Sequence, residues 1–506
     1  MTIPDTINNA HLLQDFDISP LVPEEYAAYR PLVAETLIFF LRHLSPARLA
    51  EIIAAQNRLD TKASIIQRFG TLLHSCPTLH KLGQLLARNR QLAPALRRRL
   101  QTLESMEPMT PLFSILPTIQ RELGKTEFSK VRLASKPLAE ASVAAVIPFS
   151  FHPNSSRPKE KHGKGGVLKV LKPGIEERLE EELEIWSTVS VFIDERCKTL
   201  NLASLHYAEI LETVRELLFN EVKLDREQQN LAKAAQLYID RTSAVQIPYL
   251  LPFSTSRITA MERISGNKVT EVHRLSKKAR WNLAATLVDT LIMRPVFSSE
   301  RSAMFHADPH AGNLFITEDG RLAILDWSLV GYLGKREREL LVQLLLGAAT
   351  FNVSRVARAI EDLAYSQPDH ASVCQVTELA LRRLHPNKFP GFSWLVKLLD
   401  DAKLLAEVRF PSDLLLFRKN ILTLEGVVAD ICTDCQLDKT LFLSATRQFR
   451  QELLDRVLCS PISRSFGTHL SNLDLLGLYF SLPMGVGRRY LDLLSEPLRN
   501  RFPARR

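Results

Sequence analysis

Hydrophobic positions at three- and four-residue spacing dominate the first part of the chain and predict helices. The segments AETLIFFLRHL (34–44) and LAEIIAAQ (49–56) follow this spacing, and Pro46 separates them. Residues 79–105 form a further amphipathic stretch, which is rich in arginine and broken near Pro94. We therefore expect a helical N-terminal region.

The pattern changes near residue 130, where short apolar segments alternate with polar turns. VRLAS, SVAAVIPFSF and GGVLKVLKP have the composition of strands. The charged segment 151–166 is typical of a long hairpin loop, and we place its tip at GKGG (163–166). Two helices and then two strands are predicted to follow, at 176–195, 205–238, 246–251 and 256–264.

From residue 275 onward the pattern is mostly helical, with one exception. The segment MFHADPHAGNLFITEDGRLAILDWS (304–328) predicts a loop, a strand, a turn and a second strand. The chain is thus expected to be α+β and predominantly helical. We divide it into a helical extension, a strand-rich domain with a helical insert, and a helical domain, at 1–128, 129–264 and 265–506.

Composition and charge narrow the kinds of protein that this chain can be. Hydrophobic residues make up 45% of the sequence and charged residues 24%, which is ordinary for a globular protein. The excess of 65 Lys and Arg over 56 Asp and Glu gives a net charge of +9. This charge suits an anionic ligand or an anionic membrane surface and is too small to indicate nucleic-acid binding.

The N-terminal segment and the apolar runs bear on localisation. No Lys or Arg precedes Arg30, whereas secretory, twin-arginine and organellar presequences need early positive charge. No run of about 18 apolar residues occurs. We expect a cytoplasmic protein, soluble or peripheral on the cytoplasmic face of a membrane. The arginines at 88–99 could face anionic lipid, and a solvated helix face is the alternative.

Cysteine usage indicates a reducing compartment. Six cysteines in 506 residues do not make a disulfide framework. Cys432 and Cys435 form a single CxxC pair, and a zinc site would need a second pair. We interpret the two as structural or incidental thiols, with a redox or metal role as the alternative.

The candidate chemistry lies in the hairpin segment. Asp308 precedes Asn313 by five positions, the spacing of a kinase catalytic loop, in which the Asp orients or deprotonates the nucleophile and the Asn holds Mg²⁺. The strand, turn and strand that follow would bring Asp326 close to the first carboxylate, in the place of a second metal ligand. Phosphoryl transfer needs this combination of a carboxylate and oxygen ligands.

Two alternatives remain for this segment. The polar residues could merely cap a β-hairpin. His306 and His310, with Asp308, could instead be transition-metal ligands, but Pro309 makes a continuous helix through them improbable. We favour histidines that brace the loop by hydrogen bonds.

A kinase also needs a lysine on a strand and a glutamate on a helix. Lys169 alternates with Val167 and Leu171, which would point it inward. Glu227 lies on a predicted helix about 58 residues later. The alternatives are a solubilising lysine on an edge strand and a surface glutamate.

These motifs together resemble the AarF/UbiB family of atypical kinase-like proteins. HADPHAGN resembles the family's HxDPHPGN, LDWS stands where the family has LDFG, and AEASVAAV stands where it has ASASIGQV. VLKVLKPGI, EVKLDREQQN and LTLEGVVADI resemble a strand, a helix and a C-lobe helix of the family. Lys81-Leu-Gly83-Gln84 matches its KxGQ motif.

The resemblance implies a two-lobed kinase-like fold in which the KxGQ extension lies across the cleft. It implies binding of ATP and Mg²⁺, with kinase or ATPase activity tied to isoprenoid lipid metabolism, especially of ubiquinone. Asp308 would be the catalytic carboxylate, Asn313 and Asp326 would bind Mg²⁺, and Lys81 would restrain the site. The implied nucleotide-binding residues are Ala139, Ala141, Ser142, Lys169, Glu227 and Glu262.

Three departures from the family pattern bear on function. Trp327-Ser328 replaces Phe-Gly after the metal-binding Asp, and Ala144-Ala145 replaces Gly-Gln in the alanine-rich loop. The family's Glu-x-Asp becomes Glu221-x-Lys223, so one carboxylate near Lys81 is missing or is supplied by Asp225. The rival to an enzyme is a nucleotide-binding regulatory scaffold with little or no turnover.

Overall fold

The computed structural model describes most of the chain, which divides into two compact units. The first comprises Met1–Ala232 and Tyr249–Arg263, and the second comprises Lys233–Pro248 and Ile264–Arg506. The expected boundary at 264/265 lies one residue from a unit boundary, whereas the expected boundary at 128/129 falls inside the first unit. The described residues are 21–88, 110–151, 164–202, 207–238, 244–272, 275–384, 390–433 and 437–481, with single residues between 94 and 100.

Helices form most of the secondary structure, as expected. Up to residue 237 they are α1 (Arg30–His43), α2 (Pro46–Asn57), α3 (Ile65–Ser75), α4 (Pro77–Arg88), α5 (Leu112–Phe128), α6 (Ile175–Thr199), α7 (Tyr207–Val222) and α8 (Leu224–Leu237). Beyond it they are α9 (Lys277–Val288), α10 (Lys335–Ala349), α11 (Val353–Leu363), α12 (His370–Arg382), α13 (Phe392–Leu405), α14 (Ser412–Ile431) and α15 (Leu437–Val457).

Short strands form three sheets. They are β1 (Val131–Leu133), β2 (Ala139–Glu140), β3 (Ala144–Phe151), β4 (Lys164–Leu171), β5 (Val245–Gln246), β6 (Ile258–Glu262), β7 (Gly266–Lys268), β8 (Ser302–His306), β9 (Leu314–Thr317), β10 (Leu322–Ile324) and β11 (Val330–Gly334). The first unit holds an antiparallel sheet in the order β1-β3-β4-β6, with β2 also paired to β3. The second unit holds the sheets β5-β10-β9-β7 and β11-β8.

Residues 164–166 of the GKGG segment are part of a strand, which corrects their expected place at a hairpin tip. Gly165 and Gly166 belong to β4 and pair with β3. A Cβ at Gly166 would come within 2.6 Å of the Phe149 ring and 2.7 Å of Leu251. Glycine is therefore used here for close packing of neighbouring strands rather than for a turn.

The strand β8 was also missed, because Met304–His306 was expected to be loop. These residues pair with β11, which lies outside the segment that suggested the hairpin. The predicted hairpin itself is present as β9 and β10, paired through Leu322 and Ile316.

The helical core of the first unit determines where α4 lies. Phe40 of α1 and Trp186 of α6 are buried with their ring centroids 5.2 Å apart. The carboxylate of Glu182 on α6 accepts hydrogen bonds from the backbone N–H (3.0 Å) and hydroxyl (2.6 Å) of Thr78. Because these donors lie in the first turn of α4, the buried carboxylate anchors the start of that helix.

Several sequence-based expectations concern residues outside the described part. These include Arg90, Arg97, Arg99 and the arginines after residue 481. Cys432 is disulfide-bonded, which corrects its interpretation as a thiol, whereas Cys435 lies outside the described residues. Among the described helices, none is both long enough and apolar enough to cross a membrane.

Candidate active site

In the first unit, Lys169 and Glu227 form a buried ion pair. Lys169 lies on β4 between β3 and β6, opposite Val146 and Thr259. Its Nζ is 2.8 Å from Oε1 of Glu227 on α8, and the two side chains are 8% and 2% exposed. An edge-strand lysine and a surface glutamate, the two alternatives, are thus both excluded. A pair removed from water in this way persists only with good geometry, because desolvation opposes it.

The start of α8 is fixed to the sheet, which orients Glu227. Leu224 is fully buried at the first position of the helix. The side-chain amide of Gln228 donates to the carbonyls of Thr255 (2.8 Å) and Ile258 (3.1 Å), next to and within β6. Glu227 is therefore carried by a helix that hydrogen bonds the same sheet as Lys169.

The alanine-rich loop is a tight turn between β2 and β3. The amide of Ala141 donates to the carbonyl of Ala144 at 2.8 Å. Ala139 is exposed, Ala141 is half-buried and the Ser142 side chain is buried. Glu262, also expected near the nucleotide, ends β6 and is half-buried.

Glu221 joins this loop to the KLGQ segment. The Ser142 hydroxyl donates to Oε2 of Glu221 at 2.6 Å. Lys81 of α4 forms an ion pair with Oε1 of the same carboxylate. Lys81 therefore has a carboxylate partner, the Glu221 that precedes the substituted position of the family's Glu-x-Asp. Lys223 and Asp225, which the sequence comparison singled out beside it, are both exposed.

A second charged pair at the loop escaped the sequence analysis. Nζ of Lys172, just beyond β4, lies 2.6 Å from Oε1 of Glu140 on β2. Burial disfavours the charge, but His74, Lys172 and Thr110 together hold the pKa of Glu140 well below its usual range. Burial lowers the pKa of Lys172, and Glu140 opposes that shift. No local pattern marks either residue, because their partners come from distant segments.

In the second unit, His306 braces two loops at once. Its Nδ1 accepts the backbone N–H of Asp308 at 3.2 Å, so its Nε2 carries the proton and donates to the carbonyl of Asp326 at 2.9 Å. Burial lowers the pKa of His306, which favours this neutral form. The expected role in bracing the loop is therefore present.

The transition-metal alternative for these histidines is wrong. Both ring nitrogens of His306 already hydrogen bond to the backbone, and Nδ1 of His310 accepts the amide of Gly312 at 3.1 Å. Within the part of the chain that the structure describes, no group of three or more His, Cys, Asp or Glu side chains could hold a metal ion.

Backbone hydrogen bonds bring Asn313 beside the residue that precedes Asp326. The amide of Leu325 donates to the carbonyl of Asn313 at 2.8 Å. The side-chain amide of Asn313 donates to the carbonyl of Asp308 at 3.4 Å, so one loop carries both residues. The hairpin therefore places the two predicted metal ligands in neighbouring backbone segments, whereas the predicted approach of Asp326 to Asp308 stays a prediction.

Asp326 has an unusual backbone conformation and a well-packed neighbour. Its φ is +50°, in the left-handed region, and Oδ1 accepts the amide of Ser328 at 3.1 Å. Trp327 is 1% exposed, and its ring centroid lies 4.9 Å from that of His306 in an edge-on contact. Trp327, which replaces the family's Phe, thus fills the core while the carboxylate position is retained.

The residues present fit a hard divalent cation. A carboxylate from Asp326 and an amide oxygen from Asn313 are the donors that Mg²⁺ prefers, and Mg²⁺ commonly binds through one or two protein ligands plus phosphates and water. The side-chain N–H of Asn313 donates to the backbone carbonyl of Asp308. The side-chain oxygen of Asn313 is therefore the atom of that amide group that would face the cation.

Lys419 is a further charged residue that the sequence analysis missed. It lies on α14, and its Nζ is 3.3 Å from Oδ1 of Asp308. The family resemblance pointed to the helix segment LTLEGVVADI (422–431), but Lys419 lies three residues before that segment and was not noted. A cation at this distance favours the ionised form of the carboxylate that we expect to act on the nucleophile.

Comparison with known proteins identifies relatives along much of the chain. The profile of the ABC1 atypical kinase-like domain matches residues 107–360, half of the chain. A probable protein kinase UbiB of Shewanella halifaxensis is 25% identical over 451 residues, covering 85% of this chain and 78% of that protein. The chloroplastic protein ACTIVITY OF BC1 COMPLEX KINASE 3 of Arabidopsis thaliana is 26% identical over 318 residues, covering 62% of this chain.

The extent of these matches varies. The chain spans about half the length of some curated relatives that it matches, 42% in the case of the Arabidopsis protein. The solved complex of Rv3197 with erythromycin from Mycobacterium tuberculosis matches with a TM-score of 0.46 and 19% identity, covering 72% of this chain and 91% of that one. The family match confirms the resemblance and the kinase-like fold class predicted from the sequence. The chain belongs to the ABC1 atypical kinase-like family.

Proposed function

We propose that this protein is an atypical kinase or ATPase that uses Mg·ATP and supports isoprenoid lipid metabolism of the ubiquinone type. The observation that carries the nucleotide part is the buried pair of Lys169 and Glu227, held 2.8 Å apart. A lysine and a glutamate that only kept the protein soluble would lie in water rather than be buried together. Phosphate binding in kinases, by contrast, requires such a pair to be in place.

Five residues carry the proposed chemistry. Lys169 contacts the phosphates, and Glu227 keeps its ammonium charged and in position. The oxygens of Asn313 and Asp326 would hold Mg²⁺, which would neutralise negative charge on the phosphates. Asp308 orients the acceptor hydroxyl or water and accepts its proton as the oxygen attacks the γ-phosphorus and ADP leaves.

The acceptor is proposed to be a small molecule or water rather than a protein. Lys81 restrains the site through its ion pair with Glu221, which is hydrogen bonded to Ser142 of the alanine-rich loop. A KLGQ segment tied to the nucleotide-binding loop in this way would exclude bulky protein substrates and leave room for a small acceptor or water. The isoprenoid lipid context is what the family resemblance implies.

Mg²⁺-dependent nucleotide binding, measured beside ATP turnover, tests the nucleotide proposal. We expect the purified chain to bind a fluorescent ATP analogue in Mg²⁺, and to turn ATP over with or without added lipid. Asp308→Asn should retain binding and lose turnover. Binding with no turnover under any condition would favour the regulatory scaffold, and absence of both would overturn the proposal.

The lipid context needs a separate measurement. Profiling of quinone intermediates in a strain lacking this protein should show an altered pool, restored by the wild-type chain and not by Asp308→Asn. An unchanged pool would remove the ubiquinone part of the proposal and leave the nucleotide chemistry standing.

Membrane association, as a part of this proposal, is peripheral and sensitive to salt. It rests on the net charge of +9 and on the arginines at 88–99 and 488–506. Each basic residue near an anionic surface contributes about 1 kcal/mol, which salt screens. Flotation with liposomes containing phosphatidylserine should fall as salt rises. Flotation unchanged at high salt would instead indicate a hydrophobic anchor.

A further inference from the structure

Glu140 lies within the alanine-rich loop, at a position where the resembling family sequence has a small residue. AEASVAAV carries it in the second position, where ASASIGQV has serine. It ends β2, and its side chain is 3% exposed. A carboxylate buried at this place needs partners, because an isolated charge would be strongly disfavoured.

One of these partners, Lys172, holds the loop at two points. Its Nζ lies 2.6 Å from Oε1 of Glu140 and donates to the carbonyl of Ser142 at 3.3 Å. The backbone amide of Lys172 also donates to the carbonyl of Val143 at 2.9 Å. A single residue therefore fixes a side chain and two backbone carbonyls of the turn.

The other partners of Glu140 come from the helical region. The backbone N–H of Thr110, before α5, donates to Oε2 at 2.9 Å, and its hydroxyl donates to Oε1 at 2.7 Å. Nδ1 of His74, in the last turn of α3, lies 3.6 Å from Oε1. Glu140 thus connects the loop to the helices by contacts that do not involve Lys81 or Glu221.

We propose that Glu140 is a positioning residue that tethers the alanine-rich loop to the helical region, alongside the tether formed by Lys81, Glu221 and Ser142. The two tethers attach to the loop at residues 140 and 142 and use different cations. The effect expected on nucleotide affinity rests on the proposed function, whereas the effect expected on the order of the loop does not.

This arrangement changes what is expected of Lys81. With one tether, loss of Lys81 would release the loop. With two, Lys81→Ala leaves Glu140 holding the turn through Lys172 and Thr110. Release therefore requires loss of both, and the two substitutions should be strongly non-additive because they act on the same short segment.

Hydrogen exchange of the loop amides, measured on the full chain, tests the tether. Glu140→Gln leaves the Lys172 charge buried without its neighbouring anion, so exchange at Leu138, Ala141 and Lys172 should rise about tenfold. Adding Lys81→Ala should raise it beyond the product of the two single effects. Glu35→Gln, which breaks an ion pair between α1 and α6, is the matched control and should leave the loop unchanged.

Steady-state kinetics give the functional arm. Glu140→Gln should raise the KM for ATP about tenfold while kcat stays within about twofold, since the loop is held by one tether instead of two and no reacting group is removed. Adding Lys172→Met to Glu140→Gln removes the uncompensated cation, so global stability should recover. Exchange at the loop should stay above wild type, because the contacts that tie the loop to the helical region are still missing. Glu140→Asp should have an intermediate effect.

Two results would overturn the proposal. One is faster exchange spread equally over α1, α6 and the loop in Glu140→Gln, which indicates a general loss of stability. The other is loop exchange and KM both equal to wild type. If the wild-type chain bound no nucleotide, the proposed function would fail, and the exchange measurements would still decide whether the tether exists.

Discussion

The charged residues of the two units are held in place by different means. In the first unit, Lys81, Lys169 and Lys172 each contact a carboxylate, and all three lysines are at most 8% exposed. In the second unit, Asp308 and Asp326 are half-buried, and their loops are held by the neutral ring of His306 through backbone groups.

This difference predicts different responses to substitution. Where buried charges hold each other, removing one leaves the other uncompensated, so structure and function are lost together. Where backbone hydrogen bonds and a packed histidine hold the loop, a side chain can be changed while the loop keeps its shape. Function and folding should therefore separate in the second unit and not in the first.

The largest separation is expected for Asp326→Asn. Replacing an anionic oxygen ligand with a neutral one should lower Mg²⁺-dependent turnover at least about 100-fold, because ligand charge supports Mg²⁺ between phosphates. Thermal unfolding should stay near wild type. The control is Asp319→Asn in the exposed β9–β10 turn, which keeps activity. Normal Mg·ATP binding and hydrolysis in Asp326→Asn would contradict the kinase-like assignment.

In the first unit, Lys169→Met should lose both stability and nucleotide binding. Leaving Glu227 buried without its cation should cost about 3–5 kcal/mol of unfolding free energy by denaturant titration. The double variant Lys169→Met/Glu227→Leu should recover most of the stability and none of the binding. Glu176→Gln, which breaks the exposed pair with Arg257, should change stability by less than about 1 kcal/mol. Equal costs at both pairs would show that burial of the Lys169–Glu227 pair has no special effect on stability, and would contradict the behaviour expected of the first unit.

Lys419→Met sharpens the description of the second unit, because it removes the cation 3.3 Å from Asp308. We expect turnover to fall about tenfold with nucleotide affinity unchanged, as the lysine acts through the catalytic carboxylate. Lys403→Met, on the exposed face of α13, is the control. An unaltered kcat would exclude a role for Lys419.

The smallest effect is expected for Lys81→Ala, an exception among the pairs of the first unit, because its partner Glu221 is 16% exposed and keeps the hydrogen bond from Ser142. Nucleotide binding should persist, and autophosphorylation should rise or nucleotide preference should change, because a restraint is lost rather than a reacting group. The measurement is phosphate incorporation with ATP and with ADP or GTP as competitors. If this variant were as inactive as Asp326→Asn while folding normally, Lys81 would be a direct catalytic residue.

The parts of the site that could be predicted from the sequence are those with a local signature. The five-residue spacing of Asp308 and Asn313, and the alternation around Lys169, depend on neighbouring positions along one segment. The strand that holds Lys169 and the hairpin before Asp326 are present in the structure. Periodicity and spacing record local geometry, so they identify such residues without knowledge of their partners.

The missed residues have partners far away in sequence. Glu140 contacts Thr110 and Lys172, each about 30 residues away, and Lys419 lies 111 residues after Asp308. GKGG was assigned to a turn from composition alone, whereas the Phe149 ring next to Gly166 explains the glycine. Tertiary contacts decide these cases, and a single sequence does not display them.

The left-handed backbone at Asp326 limits which residues can replace it. Among residues with a Cβ, Asp and Asn adopt φ near +50° with the least strain, and glycine adopts it freely, whereas β-branched residues do not. In a saturation library at this position, selection for folded protein should enrich Asp, Asn and Gly, and selection for activity should keep Asp alone. A change of one codon, from Asp to Asn or Gly, would thus abolish catalysis and leave a folded, inactive protein.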